Sequence, residues 1–216
     1  MADDDGALLD RWCAGDATAG NALFSRHFEA VFRFFDHKVT SDSDAEELVQ
    51  ETFLACVGAR DSFRRHSSFR TFLFAIAKNV LFGYFRKRSG RSPHDDISEQ
   101  SIAALSTSLG ARVDRQRDQL RLRAALEELP VEQQLLLELH YWEDLDAEQL
   151  AEVFGTAPAT SRSRLHRARA ALREQLAARA EPDASMTDSG MGPHGDRLLA
   201  ELAIRNDLET RTTTEP

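Results

Sequence analysis

Residues 146–172, DAEQLAEVFGTAPATSRSRLHRARAAL, contain the pattern that decides the fold of the second half of the chain. Asp146 followed three residues later by Gln149 is typical of a helix start, and Gly155 is typical of a helix end. Pro158 then suits the first turn of a second helix, which we expect to run to about Ala178. A short helix, a turn with glycine and a second helix together predict a helix-turn-helix unit.

The second predicted helix has an apolar side and a basic side. Leu165, Ala168 and Leu172 recur at helical spacing and are expected to face the core, with Ser161 on the same side. Arginine can bind guanine edges in the major groove and serine is an adaptable hydrogen-bonding residue, so the helix predicts duplex DNA binding. A solvated basic face is the alternative interpretation. The basic residues are Arg162, Arg164, His166, Arg167, Arg169 and Arg173.

Helical periodicity extends outward from this unit over most of the chain. We predict an all-α protein with two small helical domains joined by a flexible linker, the second domain containing the helix-turn-helix. The polar segment at 91–118 is rich in Ser, Asp and Gln and shows no sustained period, so we interpret it as the linker. The acidic tail is expected to be mostly disordered, although 196–208 has the spacing of a short amphipathic helix. The predicted divisions are a first domain at 1–90, the linker at 91–118, a second domain at 119–180 and the tail at 181–216.

The net charge of −9 argues at first against nucleic-acid binding, but the charges are unevenly distributed. Residues 60–91 carry nine basic and one acidic group, and residues 156–180 carry six and one. Residues 92–155 between them carry 14 acidic and five basic groups. Because binding of phosphates depends on the local field rather than on the total charge, both basic segments are candidate nucleic-acid sites.

The first basic segment contains residues 67–88, SSFRTFLFAIAKNVLFGYFRKR, which mixes aromatic with basic residues. This mixture suits single-stranded DNA, because bases stack on rings while phosphates meet Arg and Lys. Most of the apolar residues at helical spacing are more simply explained as core, namely Phe69, Phe72, Leu73, Ile76, Val80 and Tyr84. The residues expected to be exposed are Arg70, Lys78, Asn79, Arg86, Lys87 and Arg88.

Residues 44–53, DAEELVQETF, predict a further helix, for which Ser43 or Asp44 is the expected N-cap. Glu47, Gln50 and Glu51 lie on one face of it and could meet a basic protein partner. On the pattern alone, a solvated acidic face is the favoured interpretation.

Other functional classes find little support in the sequence. It contains no Gly-rich phosphate loop, zinc-binding His-Glu helix or nucleophile elbow, so we expect neither an enzyme nor a metal or other cofactor. No apolar stretch approaches the length of a membrane span, and the acidic start lacks the layout of a signal peptide. Cys13 and Cys56 have no metal-ligand spacing and are expected to be reduced core thiols of a cytoplasmic protein.

The three motifs, in this order, resemble the extracytoplasmic-function (ECF) class of bacterial RNA polymerase sigma factors. The resemblance covers roughly residues 7–88 and 119–178. It implies a factor that binds the polymerase core, directs promoter-specific initiation by reading −35 and −10 elements, and opens the duplex.

The resemblance also implies roles for individual residues. Polymerase binding, to the clamp helices of the largest subunit, would involve Glu47, Gln50 and Glu51. Binding of the single-stranded −10 element would involve Lys78, Asn79, Arg86, Lys87 and Arg88, with Asn79 and the Asp61–Phe69 loop holding a flipped base. Binding of the double-stranded −35 element would involve Arg162, Ser163, His166 and Arg167.

Further implications are a monomer, an anti-sigma protein as inhibitor, and an acidic linker that threads the RNA channel of the polymerase. Besides Phe72, where the family often has Trp, and Ala75, where it often has Arg, two positions of the second domain depart from the family pattern. Ala157 replaces the usual Ser cap before the reading helix, at an expected cost of about 0.5–2 kcal/mol of local stability. Ser161 stands at a usually apolar core position, where a buried hydroxyl needs a partner.

Two other classes of protein remain as alternatives. A helix-turn-helix repressor or activator would explain 146–178 and would bind a palindromic duplex unaided as a dimer, but it leaves 44–53 and 68–88 without a role. A protein-interaction module or anti-sigma-like inhibitor would act through its acidic faces, and would be insensitive to replacement of Arg162 and Arg167.

Overall fold

A computed structural model describes residues 4–36, 38–60, 63, 67–92, 96–101 and 117–179. These residues form two helical domains and contain no helix that is long and apolar enough to cross a membrane. The predicted tail, its 196–208 helix and most of the 61–69 loop lie outside the described residues. The helices are α1 (Asp5–Cys13), α2 (Ala17–Asp36), α3 (Asp42–Ala59) and α4 (Phe69–Arg88), then α5 (Arg117–Glu127), α6 (Val131–Tyr141), α7 (Ala147–Phe154) and α8 (Pro158–Ala178).

The first domain packs α1 to α4 around a core of large apolar side chains. Asp16 caps α2, since its Oδ1 accepts hydrogen bonds from the main-chain N–H groups of Thr18 and Ala19 at 2.9 and 3.2 Å. Trp12 of α1 lies edge-on to Phe24, with ring centroids 5.2 Å apart, and thereby joins α1 to α2. The fully buried core side chains include Leu23, Val31, Phe35, Leu73, Phe74, Leu81 and Phe85.

The start of α3 differs from the prediction. The N-cap is Ser41, whose Oγ accepts a 3.1 Å hydrogen bond from the N–H of Asp44, so Ser43 and Asp44 lie inside the helix. The Asp44 carboxylate accepts a 2.8 Å hydrogen bond from the Thr40 hydroxyl. This bond is the main reason that the pKa of Asp44 lies below its ordinary value, and a carboxylate in the first turn also suits the helix dipole. The predicted caps, Ser43 and Asp44, were therefore wrong, because Ser41 is an equally competent capping residue two positions before Ser43.

The second domain contains the predicted helix-turn-helix. Asp146 and Gln149 form a capping box at the start of α7, with hydrogen bonds of 2.8 and 2.9 Å. Gly155 ends α7 in the left-handed conformation (φ 64°, ψ 39°), which favours glycine. Ala157 precedes α8 without a side-chain cap, as expected. Leu165, Ala168 and Leu172 are buried, as predicted.

Part of the segment predicted as a flexible linker is packed. Ile97 is fully buried, and the main-chain oxygens of Ser98 and Gln100 accept hydrogen bonds from the N–H groups of Glu132 and Val131 at 3.2 and 2.7 Å. Two main-chain bonds therefore tie residues 96–101 to the start of α6, and Ile97 belongs to the hydrophobic core. Residues 102–116 lie outside the described residues.

Candidate nucleic-acid interface

Helix α4 carries the first basic segment and presents a mixed stripe to the surface. Ser68 caps the helix by accepting a 3.1 Å hydrogen bond from the N–H of Thr71. Positions 72, 76, 79, 83 and 86 follow at intervals of three or four and lie on one side. Asn79 in the middle of this side is exposed, and the described residues leave open space within 4 Å of a Cβ built at Gly83.

The aromatic residues of α4 divide between core and surface. Phe69 and Leu73 are buried, as expected for core residues, and Phe69 is therefore not available for stacking on a base. Phe72 is only half-buried and packs against Phe63 of the preceding loop, with ring centroids 4.6 Å apart. Ile76, Val80 and Tyr84 are also half-buried. An apolar platform therefore lies at the N-terminal end of the Asn79 stripe.

The last turn of α4 concentrates positive charge. Lys87 and Arg88 are exposed, as predicted, whereas Arg86, which was also expected to be exposed, is half-buried. Cations at this end also complement the partial negative charge of the helix C-terminus. Arg88 donates a 3.4 Å hydrogen bond to the Tyr84 hydroxyl, which orients one of the three side chains.

Lys78 is placed differently from its neighbour Asn79. Its Nζ donates a 2.9 Å hydrogen bond to the main-chain oxygen of Val153 in α7 and lies 5.5 Å from the centre of the Phe154 ring. Burial lowers the pKa of this ammonium, although the Glu132 carboxylate partly offsets the effect. Lys78 thus contacts the second domain, whereas its predicted role requires contact with DNA.

Helix α8 presents the second basic segment. Arg162, Ser163, His166 and Arg167 are all exposed, and the last three make no side-chain hydrogen bond or ion pair with the described residues. Arg162 forms a 2.8 Å ion pair with Glu148 of α7, but both side chains are more than half exposed. Such a pair contributes little and can be exchanged for a phosphate. All four residues predicted to bind duplex DNA lie on the solvent side of the helix-turn-helix.

Two other arginines of α8 have structural partners. Arg164 pairs with Glu132 of α6. Arg169 donates hydrogen bonds to the Tyr141 hydroxyl at 2.9 Å and to His140 Nε2 at 2.8 Å. These contacts define the tautomer of His140. Because Nε2 accepts the hydrogen bond from Arg169, Nδ1 carries the proton and donates it to the main-chain oxygen of Leu145, 2.9 Å away.

The acidic face of α3 lies beside exposed apolar residues. Glu47, Gln50 and Glu51 are exposed, as predicted. Leu54 follows on the same face and is 72% exposed, while Val57 is 47% exposed. This apolar extension was not among the predicted features, although helical spacing indicates it, since Leu54 is four residues from Gln50 and three from Glu51. An acidic face with exposed apolar residues at one end suits a protein partner better than solvent alone.

Metal binding and cysteine chemistry find little support in the described part of the chain. No group of three or more His, Cys, Asp or Glu side chains there could hold a metal ion. Cys56 is buried, and burial raises the pKa of its thiol to about 12, so that it is an unreactive core residue. Cys13 is a free thiol as well, but it is exposed at the end of α1, so the prediction that it lies in the core was wrong.

Family models match both domains. Residues 23–91 match Sigma-70 region 2, which includes α3 and α4, and residues 119–172 match Sigma-70, region 4, which includes the helix-turn-helix. The two matches assign the two basic segments to different regions of one family.

Curated relatives and solved structures agree with this assignment. The chain is 30% identical over 181 residues to the ECF RNA polymerase sigma-E factor of Haemophilus influenzae, covering 80% of this chain and 95% of that protein. It is 29% identical over 177 residues to the ECF RNA polymerase sigma-E factor of Escherichia coli K12, covering 78% and 92%.

Two solved complexes are similar in structure. CnrH in complex with the cytosolic domain of CnrY matches with a TM-score of 0.59 and 22% identity over 82% of this chain and all of that chain, which shows a shared fold. The sigma factor RpoE in complex with the anti-sigma factor NepR from Bartonella quintana matches with a TM-score of 0.50 and 25% identity, over 70% and 92%. From the ordered motifs, the two region matches and these relatives, we conclude that the chain belongs to the ECF family of RNA polymerase sigma factors, the initiation factors that direct transcription from specific promoters.

Proposed function

We propose that this sigma factor reads the −35 element with the exposed face of α8. The observation that carries this proposal is the division of the α8 side chains. Arg164 and Arg169 are held by partners in α6, whereas Ser163, His166 and Arg167 point to solvent from the second helix of a helix-turn-helix. Groups at these positions can reach base edges when the helix enters the major groove.

The −10 element is read by α4 in this proposal. Asn79 binds a base of the separated strand, while Arg86, Lys87 and Arg88 bind neighbouring phosphates. The exposed amide, the half-buried Phe72 nearby and the basic last turn support these roles. They combine hydrogen bonding, stacking and charge, which single-stranded DNA recognition uses. Lys78 joins them only after it leaves its contact with Val153.

The α3 face docks on the polymerase core. Glu47, Gln50 and Glu51 supply hydrogen-bond acceptors for basic groups on the clamp helices of the largest subunit, and Leu54 adds apolar area. Charged groups at the edge of an interface chiefly set specificity and association rate, whereas buried apolar residues at its centre supply most of the affinity.

The protein therefore supplies promoter recognition and strand opening, and phosphodiester formation belongs to the polymerase. It acts where the polymerase is, in the cytoplasm, as a monomeric subunit. The Bartonella quintana complex joins a sigma factor to an anti-sigma factor, which supports an anti-sigma protein as regulator of this chain. The domains correspond to residues 1–90 and 119–180, and the acidic segment between them passes through the polymerase.

Transcription in vitro tests this function. Purified core polymerase is incubated with a promoter library with and without the protein, and transcripts are sequenced. Specific transcripts are expected only with the protein, and they should disappear with Glu51→Arg or Arg167→Ala. Glu174→Arg and Arg11→Ala make equal charge changes at exposed positions outside the three surfaces and should keep the transcripts.

Core binding is measured in parallel to separate the roles. Glu51→Arg should lose core binding, whereas Arg167→Ala should keep it and lose only transcription from promoters that need a −35 element. Absence of both transcripts and core binding by the unaltered protein would contradict the proposal and favour a stand-alone DNA-binding regulator.

A further inference from the structure

The two domains contact each other through opposite charges. Glu143, in the loop before α7, pairs with Arg70 at the start of α4, and one of its oxygens lies 3.8 Å from the guanidinium of Arg33 in α2. The Glu143 side chain is only 7% exposed. Burial raises its pKa, and the hydrogen bond from Arg70 opposes this effect. A second-domain carboxylate is thus enclosed between two first-domain arginines.

A second ion pair crosses the same boundary. Lys38, between α2 and α3, is 1% exposed and pairs with Glu138 of α6. Its Nζ also donates a 2.5 Å hydrogen bond to the main-chain oxygen of Phe34 and lies 4.6 Å from the centre of the Phe34 ring. These two ion-pair clusters, Glu143 with Arg33 and Arg70 and Lys38 with Glu138, are called the latch below.

The latch brings carboxylates from an acidic part of the chain onto the first domain, where Arg70 belongs to the basic segment 60–91. Residues 92–155 carry 14 acidic and five basic groups, and they supply both latch carboxylates. Residues 60–91 carry nine basic groups and one acidic group, and they supply Arg70 and, on the same helix, Lys78. Arg70 contacts a carboxylate and Lys78 contacts a main-chain oxygen of the second domain. These oxygens occupy the cations in the way that phosphate oxygens of DNA would.

The energetics of buried ion pairs suit a reversible contact. When oppositely charged groups are buried together, their mutual attraction is largely offset by the loss of hydration. A competing surface can therefore open the closed arrangement. Reversal of Glu143, however, would place three cations together, and loss of Glu138 would leave the buried Lys38 without its carboxylate partner, so either change disfavours closure.

We propose that the latch holds the two domains of the free protein closed and covers the Lys78 side of α4 until DNA or polymerase displaces it. The second domain is then an intramolecular competitor for the nucleic-acid surface of the first. This regulation goes beyond promoter reading, and its first test does not depend on transcription.

Single-molecule energy transfer measures closure directly. One dye of each pair is attached to the exposed native Cys13 and the other to Ala177→Cys at the exposed end of α8, while the buried Cys56 stays unlabelled. The full-length protein should show mainly one high-transfer population. Glu143→Arg should move most molecules to low transfer, and adding Arg70→Glu to it should restore high transfer. Equal transfer in the unaltered protein and in Glu143→Arg would overturn the proposal.

A milder pair of variants keeps the test valid if charge reversal prevents folding. Glu143→Gln preserves the side-chain volume, and Glu152→Gln makes the same charge change at an exposed position of α7. Circular dichroism confirms the helical content of each. Glu143→Gln should lower energy transfer and bind a fluorescent single-stranded oligonucleotide roughly tenfold more tightly than the unaltered protein, because a larger fraction is binding-competent. Glu152→Gln should match the unaltered protein. Equal transfer and affinity for both glutamine variants would overturn the proposal.

Discussion

Lys78 of α4 donates a 2.9 Å hydrogen bond to the main-chain oxygen of Val153, 75 positions later in the chain. The adjacent residue on the same helix, Asn79, remains exposed. Two neighbours that the sequence pattern assigned to one DNA-binding surface therefore lie in different surroundings, and they are expected to respond differently to substitution.

Asn79→Ala should weaken binding of the holoenzyme to a −10 oligonucleotide by about tenfold, which corresponds to the loss of a typical hydrogen bond. Fluorescence anisotropy with a non-template-strand oligonucleotide measures the effect. The same variant should bind an oligonucleotide with an abasic site at the flipped position as tightly as the unaltered protein does. A tenfold loss on both oligonucleotides would show that Asn79 does not contact the base.

Arg167→Ala and Arg169→Ala should separate DNA binding from stability, although the two residues are two positions apart. Arg167 is exposed, so its replacement should lower promoter affinity roughly tenfold or more and leave the Tm unchanged. Arg169 holds Tyr141 and His140, so its replacement should lower the free energy of unfolding by about 1–3 kcal/mol. Thermal melts and promoter binding of both variants check this, and the reverse assignment of effects would contradict it.

Ser161→Ala should stabilise the second domain. Ser161 is 1% exposed and its hydroxyl has no hydrogen-bond partner among the described residues. Because an unsatisfied buried hydroxyl costs about 1–3 kcal/mol, the alanine variant should gain about 1 kcal/mol or more in urea unfolding. Ser163→Ala, two positions away and exposed, is the control for helix propensity. A loss of stability specific to Ser161→Ala would reveal a partner for the hydroxyl.

Gly20→Ala should destabilise the first domain. A Cβ built at Gly20 would lie 2.4 Å from Cδ1 and 2.6 Å from Nε1 of Trp12, so the indole ring would have to move. Overpacking of this kind typically lowers the free energy of unfolding by about 1–3 kcal/mol. A change in the fluorescence of Trp12 should accompany the loss of stability. Gly58→Ala, where the described residues leave the Cβ space open, should be neutral or gain up to about 1 kcal/mol. Equal effects of the two substitutions would exclude the steric explanation.

His27 should make the first domain less stable in mild acid. Burial lowers its pKa below the ordinary value of 6.5, while its 2.7 Å contact with Asp5 acts in the opposite direction. The unfolded chain therefore binds the proton more readily than the folded chain, and the stability contributed by neutral His27 is present above about pH 6.5 and lost as the pH falls. Burial raises the pKa of Asp5, but hydrogen bonds from Arg26 and His27 outweigh it, so the Asp5 contribution is lost only below about pH 3.8.

Urea unfolding at about pH 7.5 and pH 5.5 measures this linkage. The unaltered protein should lose more stability between the two values than His27→Gln, whose side chain does not titrate. A parallel decline in both proteins would place the pH dependence on other groups.

The helices and their ends were largely predictable because the interactions that specify them are local. The Asp146–Gln149 capping box, the left-handed Gly155 and the buried side of α8 all depend on residues within a few positions of one another. The N-cap of α3 was mispredicted because Ser41, Ser43 and Asp44 are all competent capping residues, and residue type alone does not rank them. The hydrogen bond between Asp44 and Thr40 helps to decide among them.

Sequence alone thus determined the two helical domains, the helix-turn-helix and the two basic segments, because hydrogen bonds and side-chain periodicity within a helix follow from residue type and spacing. The tertiary structure decided which cations are available to a ligand. Arg167 faces solvent, whereas Arg169 binds groups 28 and 29 positions away and Arg70 pairs with a carboxylate 73 positions away. It also placed Ile97 of the predicted linker in the core. Partners so distant along the chain leave no local periodic signal, and only packing of the helices brings them together.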